Sequence, residues 1–302
     1  MAAAERKPGL SGTSIKYIAM AAMVCDHLIQ VGFRPYMIRM GKPEFKDSLI
    51  YFLGSSVIGR MAFVLFAFLC VQGFMHTKSK KKYILSLFAF ALISEFPFDF
   101  AVFGKPSEWN MQIWSMQNVY FTLAMGVTVL TIYEKAGTLF NEGKKIQGIA
   151  MYVSLLVPML FCHIIHSDYG FAGILFILLL YIFRFDNIKS VLFAFIPFLI
   201  VMGTEQYIYR NPSAVLSGQE AVSLGVERVA LSLKNLFVPE SWDGLGSFII
   251  NYAFGIEGNG IIAFIITAAY NGTRGRQLNK WLYYIFYPAH LLLIALIFRV
   301  IL

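Results

Sequence analysis

The sequence predicts an all-α bundle of about nine, at most ten, transmembrane helices, and three observations carry that prediction. Of the 302 residues, 58% are hydrophobic and only 14% are charged, against roughly a quarter charged in soluble domains. Apolar runs recur from Ile15 to the C-terminus with no polar stretch long enough to fold alone, so residues 1–302 read as one integral membrane domain in contact with membrane lipid. The Lys and Arg residues behind the net charge of +8 sit in short clusters between apolar runs, which marks topology and argues against nucleic acid binding.

A hydrocarbon core of about 30 Å takes about 20 helical residues. That window selects residues 15–33, 57–76, 83–103, 119–133, 146–163, 170–183, 188–207, 245–270 and 281–301. The polar, basic start lacks a small-residue cleavage site, so the first segment reads as a retained helix. With the N-terminus in the cytoplasm, the clusters around Arg6, Lys78–Lys82, Lys135–Lys145, Arg184 and Arg274–Lys280 fall inside. They outnumber the basic residues left outside, such as Arg34, Lys105 and Arg210. This predicts a multi-pass protein of the cytoplasmic membrane. Residues 208–244 form the longest outside loop, and Val222, Val226, Val229, Ala230 and Leu233 suggest an amphipathic or re-entrant helix there. Cys25, Cys70 and Cys162 lie in apolar segments and form neither a disulfide framework nor a zinc ligand set.

Ionisable side chains inside membrane helices usually mark function. Lys16 and His27 are eleven residues apart in the first segment, which puts them on one helix face, separated by roughly 16 Å along the axis. An ammonium at the inner boundary can hold a phosphate while an imidazole works at depth. That separation approximates the reach of the pantetheine arm of coenzyme A. Asp26 can orient the imidazole or accept its proton, making His27 a general base or acyl acceptor; alternatively the Asp-His pair caps a helix near the outer interface.

In the second segment Arg60 requires a carboxylate, phosphate or carbonyl partner, either from a ligand or from the protein. In the third, Glu95 and Asp99 share a face around Pro97 and can pair with Arg60 or bind an amine. His163, His166 and Asp168 lack an evident fourth ligand, so a polar outer wall is preferred over a metal site. His290 reads equally as a buried histidine bonded to a neighbouring helix and as a site residue. Arg274 and Arg276, among glycines, can bind phosphate or simply fix topology.

These motifs resemble the TraX family, membrane proteins named for acetylating the N-terminus of conjugative pilin. The resemblance rests on Lys16 to His27, Gly59-Arg60-Met61-Ala62-Phe63, Gly73 to Thr77, and Ala91 through Glu95 to Asp99. It continues through Asn118-Val119-Tyr120-Phe121-Thr122, His166-Ser167-Asp168-Tyr169-Gly170, Asn271 to Arg276, and Tyr287-Pro288-Ala289-His290. The Lys-x10-His spacing is also similar to the basic-x10-histidine motif of the wider transmembrane acyltransferase superfamily. The resemblance implies a catalytic role for His27 and acetyl transfer across the membrane.

The combined expectation is an acetyl-CoA-dependent acetyltransferase. Lys16, Arg60, Arg274 and Arg276 would meet the donor's phosphates, His27 with Asp26 would catalyse, and no metal would take part. The acceptor, an amine or hydroxyl on a protein or glycan, would be held by Glu95, Asp99, Asn118, His166, Asp168 and His290. The rivals are a proton-coupled transporter and a non-catalytic assembly factor for pili or the envelope.

Overall fold

The computed structural model describes residues 8–108, 116–183, 187–210, 244–276 and 279–301. The helices are α1 (Gly12–Arg39), α2 (Leu49–His76) and α3 (Lys80–Phe103), then α4 (Val119–Asn141), α5 (Lys145–Ile164), α6 (Gly170–Ile182), α7 (Ile188–Tyr207), α8 (Leu245–Phe254), α9 (Glu257–Ala268) and α10 (Lys280–Ile301). Each of the nine apolar stretches selected in the sequence is therefore helical, the eighth being broken into α8 and α9. The helix expected within residues 208–244 lies outside the described residues.

Helix starts are set by side chains that accept from otherwise unpaired amides. Ser11, Ser79, Asn118 and Asn279 take the amides of Ser14, Lys82, Tyr120 and Trp281 at the heads of α1, α3, α4 and α10.

Among the described residues six helices (α1, α2, α3, α5, α7 and α10) are long and apolar enough to cross a membrane. A seventh crossing forms if α8 and α9, bent by 43° at their break, count as one. Length and composition thus show six or seven of the expected nine or ten crossings. The reason is physical: α4 carries Glu134 and Lys135 with several threonines, and α6 has only 13 residues, about 20 Å of helix. The chain is a multi-pass membrane protein. Its outward surface agrees, since Ile146, Ile265 and Leu92 stand 85%, 72% and 69% exposed, an arrangement suited to lipid and not to water.

α2 runs through the centre, packed against α1, α4, α6 and α9. Its buried side chains Phe63, Leu65, Phe68, Val71 and Phe74 join a continuous apolar core with Ile15 and Ala19 of α1, Ile174 and Phe176 of α6, and Leu291 of α10. α1 and α2 meet closely because glycine replaces a side chain at two contacts: a Cβ at Gly54 would lie 2.0 Å from Ile29 Cδ1, and one at Gly59 would lie 2.5 Å from Asp26 Oδ1. Both helices widen here into π-helical turns, Leu28–Phe33 directly after His27 and Phe52–Gly59 directly before Arg60. Such turns often lie beside functional side chains.

Candidate functional site

Two residues of α1 reach α10, which runs alongside in the same direction. Near the start of both helices the Lys16 ammonium stands 4.0 Å from the centre of the Tyr283 ring. Further along, His27 Nδ1 and His290 Nε2 share a hydrogen bond of 2.7 Å. The two imidazoles lie with interplanar angle 10° and centroids 5.0 Å apart, and Tyr287 presents its ring edgewise to both. His290 is buried and its Nδ1 lies 2.8 Å from the Phe286 carbonyl; His27 is half-buried.

The loop before α10 closes over the start of α1. Leu10 donates its amide to Ala269, Gly12 to Thr273 and Thr13 to Arg274, and Asn271 donates back to Leu10. The Thr13 hydroxyl also donates to the Arg274 carbonyl at 2.9 Å. This lattice brings Arg274 within electrostatic reach of Lys16. Among the described residues neither cation meets a carboxylate, so the pair repels itself and favours an anion between the two. Arg276 extends from the same loop and is exposed.

Asp26 points to the other side of α1. Its Oδ1 accepts from the Ser55 hydroxyl at 2.6 Å; Ser55 accepts from Gln30 Nε2 at 2.8 Å, and Gln30 Oε1 accepts from Tyr51 at 3.1 Å. The imidazole partner expected to be Asp26 is instead His290, because neighbours on a helix diverge by about 100°.

Arg60, on α2 beside Asp26, forms an ion pair of 3.0 Å with Glu257 at the head of α9. Glu257 is only 4% exposed. Gly260 permits the approach, its hydrogen facing the Arg60 carbonyl where a Cβ would come to 3.1 Å. Asp168 and Tyr169 complete this charged group. In the connection between α5 and α6, burial pushes the Asp168 carboxyl up to about 7 against the pull of the Arg60 cation. That connection is held by Gln117, whose amide donates to His166 and whose carbonyl accepts from Asp168, and by Thr122, which donates to the Asp168 carbonyl. His166 and Tyr169 adopt left-handed backbone. His163 pairs with Glu205 at 2.7 Å, and Glu205 also accepts the Ala172 amide near the head of α6, which accounts for His163 structurally. Among the described residues no three His, Cys, Asp or Glu side chains are arranged to hold a metal ion.

Asn118, at the head of α4, donates from Nδ2 to two groups of α3, Glu95 Oε2 at 2.5 Å and the Ala91 carbonyl at 2.8 Å. Glu95 Oε1, Asp99 Oδ1 and Ser94 Oγ are enclosed by protein and have no hydrogen-bond partner among the described residues. Glu95 also lies within electrostatic reach of the Tyr287 hydroxyl, and Tyr287 in turn meets both imidazoles with its ring edge.

The structure thus brings together three sets of the residues singled out in the sequence: Lys16 with Arg274, His27 with His290, and Glu95 with Asp99 and Asn118. Arg60 is separated from the Lys16 set and joined to Asp26 and Asp168. Glu257 escaped sequence reasoning, and Tyr287 entered it only as part of a motif, without a role. The polar run Glu257-Gly258-Asn259-Gly260 within an apolar stretch was the signal for the first.

The family model described as TraX protein matches residues 11–233. The chain belongs to the TraX family. The TraX match takes in Lys16, Asp26, His27, Arg60, Glu95, Asp99, Asn118, His166 and Asp168, whereas Glu257, Arg274, Arg276 and His290 lie beyond it. No curated protein and no solved structure matches this TraX-family chain.

Proposed function

We propose that this TraX-family protein is a membrane-embedded acetyltransferase, moving an acetyl group from cytoplasmic acetyl-CoA to an amine or hydroxyl acceptor at the outer side. The observation that carries the reading is that Lys16 and His27, about three helical turns apart, both contact α10. In this reading the N-terminus is cytoplasmic, and α4, α6 and the α8–α9 pair complete nine crossings of the cell membrane.

Lys16, Arg274 and Arg276 suit the donor's phosphates, since the first two cations lie together without a neutralising carboxylate. Arg60 leaves that set because Glu257 occupies its guanidinium. His27 removes a proton from the acceptor's N–H or O–H as the nucleophile adds to the thioester carbonyl carbon. The C–S bond breaks, and the proton held by His27 passes to the departing thiolate. Should the imidazole accept the acetyl group first, the same side chain serves as nucleophile. Glu95, Asp99 and Asn118 suit the acceptor, because Glu95 lies within electrostatic reach of Tyr287 beside the histidine pair and, among the described residues, Glu95 and Asp99 each keep one carboxylate oxygen without a partner. Family membership supports a pilin-like amino terminus as one candidate acceptor.

Those same unsatisfied carboxylate oxygens also suit a proton-coupled transporter, and one experiment separates the two. Purified protein in lipid vesicles is given acetyl-labelled acetyl-CoA with amine or hydroxyl acceptors, and thioester loss and label transfer are followed. Acetyl transfer is expected. Solute flux without acetyl-CoA, together with an intact thioester, would overturn the reading.

A further inference from the structure

We infer that His290 is a positioning residue for His27, holding its imidazole as the Nδ1–H tautomer so that Nε2 is the atom left to accept a proton. The assignment follows from a chain of donors with one fixed end. The Phe286 carbonyl can only accept, so the 2.8 Å contact requires the hydrogen on His290 Nδ1. A neutral imidazole carries one N–H, so His290 Nε2 presents a lone pair. The 2.7 Å contact between His290 Nε2 and His27 Nδ1 then takes its hydrogen from His27. His27 Nε2 is left unprotonated, and among the described residues it has no protein partner.

The opposite arrangement needs a His290 imidazolium that donates from both nitrogens and turns His27 into the Nε2–H form. His290 is only 8% exposed, and a buried cation requires an anionic partner. Among the described residues no carboxylate forms an ion pair with His290; Asp26 is held by Ser55, Glu257 by Arg60 and one oxygen of Glu95 by Asn118. The neutral pair is therefore favoured. A buried carboxylate performs this orienting task in the Ser-His-Asp triad; a neutral histidine does so without placing a charge in the membrane.

The tautomer assignment stands on geometry alone, while its catalytic consequence rests on the acetyltransferase reading, so the test reads both. The protein has five histidines, which makes 15N-histidine NMR in lipid nanodiscs tractable, with His27→Asn and His290→Gln assigning the two signals. The expected spectrum shows Nδ1–H and bare Nε2 for both residues. In His290→Leu, His27 should shift toward the Nε2–H form, and acetyl transfer should fall about 100-fold with KM for acetyl-CoA unchanged. His290→Gln keeps an acceptor at similar reach and should restore activity to within about tenfold of wild type. An Nε2–H tautomer at His27 in the wild type overturns the inference, as do Leu and Gln variants that are folded and equally inactive. The Nδ1–H tautomer in a protein that transfers no acetyl group supports the assignment and overturns the acetyltransferase reading instead.

Discussion

Asp26 and His27 are consecutive residues at one depth of α1, yet they serve two different environments. Toward α2, Asp26 enters a charged network in which Ser55, Gln30 and Tyr51 fix the carboxylate and Arg60 is neutralised by Glu257. Toward α10, His27 meets the imidazole of His290, inferred above to be neutral, and keeps one ring nitrogen without a partner among the described residues. A charge in a low-dielectric interior requires compensation, so the residues that receive it are committed to holding helices together. A neutral, half-buried imidazole carries no such requirement, and its reactive atom stays available.

The comparison can be broken from the charged side first. Arg60→Met would leave Glu257 buried and unpaired, and should lower stability by about 3–5 kcal/mol, read as a fall in thermal unfolding temperature in detergent. Adding Glu257→Gln should recover part of that loss; an unchanged unfolding temperature in Arg60→Met would deny the network its structural role. Gly59→Ala places a methyl 2.5 Å from Asp26 Oδ1 and should destabilise by about 1–3 kcal/mol. Because that clash falls on the α2 side, the wild-type His27 tautomer should persist in the 15N spectrum. The smallest effect sharpens the α10 side: Lys16→Ala should raise KM for acetyl-CoA about tenfold with no change in unfolding temperature, and Lys16→Arg should largely restore it. Equal KM values in all three proteins would remove Lys16 from donor binding.

The helices were legible because a membrane demands a long apolar run, and residues 188–207 were placed with the same bounds that the structure shows. Residues 57–76 were placed too short: the helix begins at Leu49, since Ser55, Ser56 and Gly54 lower the local hydropathy while packing against α1. The alignment of Lys16 with His27 was legible from helical periodicity. Their partners were not. His290 lies 263 positions from His27 and Glu257 lies in another helix from Arg60, and no local pattern encodes which helix packs beside which. Adjacency pointed to Asp26 as the partner of His27, and the turn of the helix directs it elsewhere.

The central claim is that the imidazole beside α10 performs acetyl transfer, and it is tested most directly by comparing wild type with His27→Ala in nanodiscs supplied with labelled acetyl-CoA and acceptor. The account predicts that the variant unfolds at the wild-type temperature and loses label transfer by about 100-fold to 10,000-fold. A folded His27→Ala protein that transfers label at the wild-type rate would contradict it.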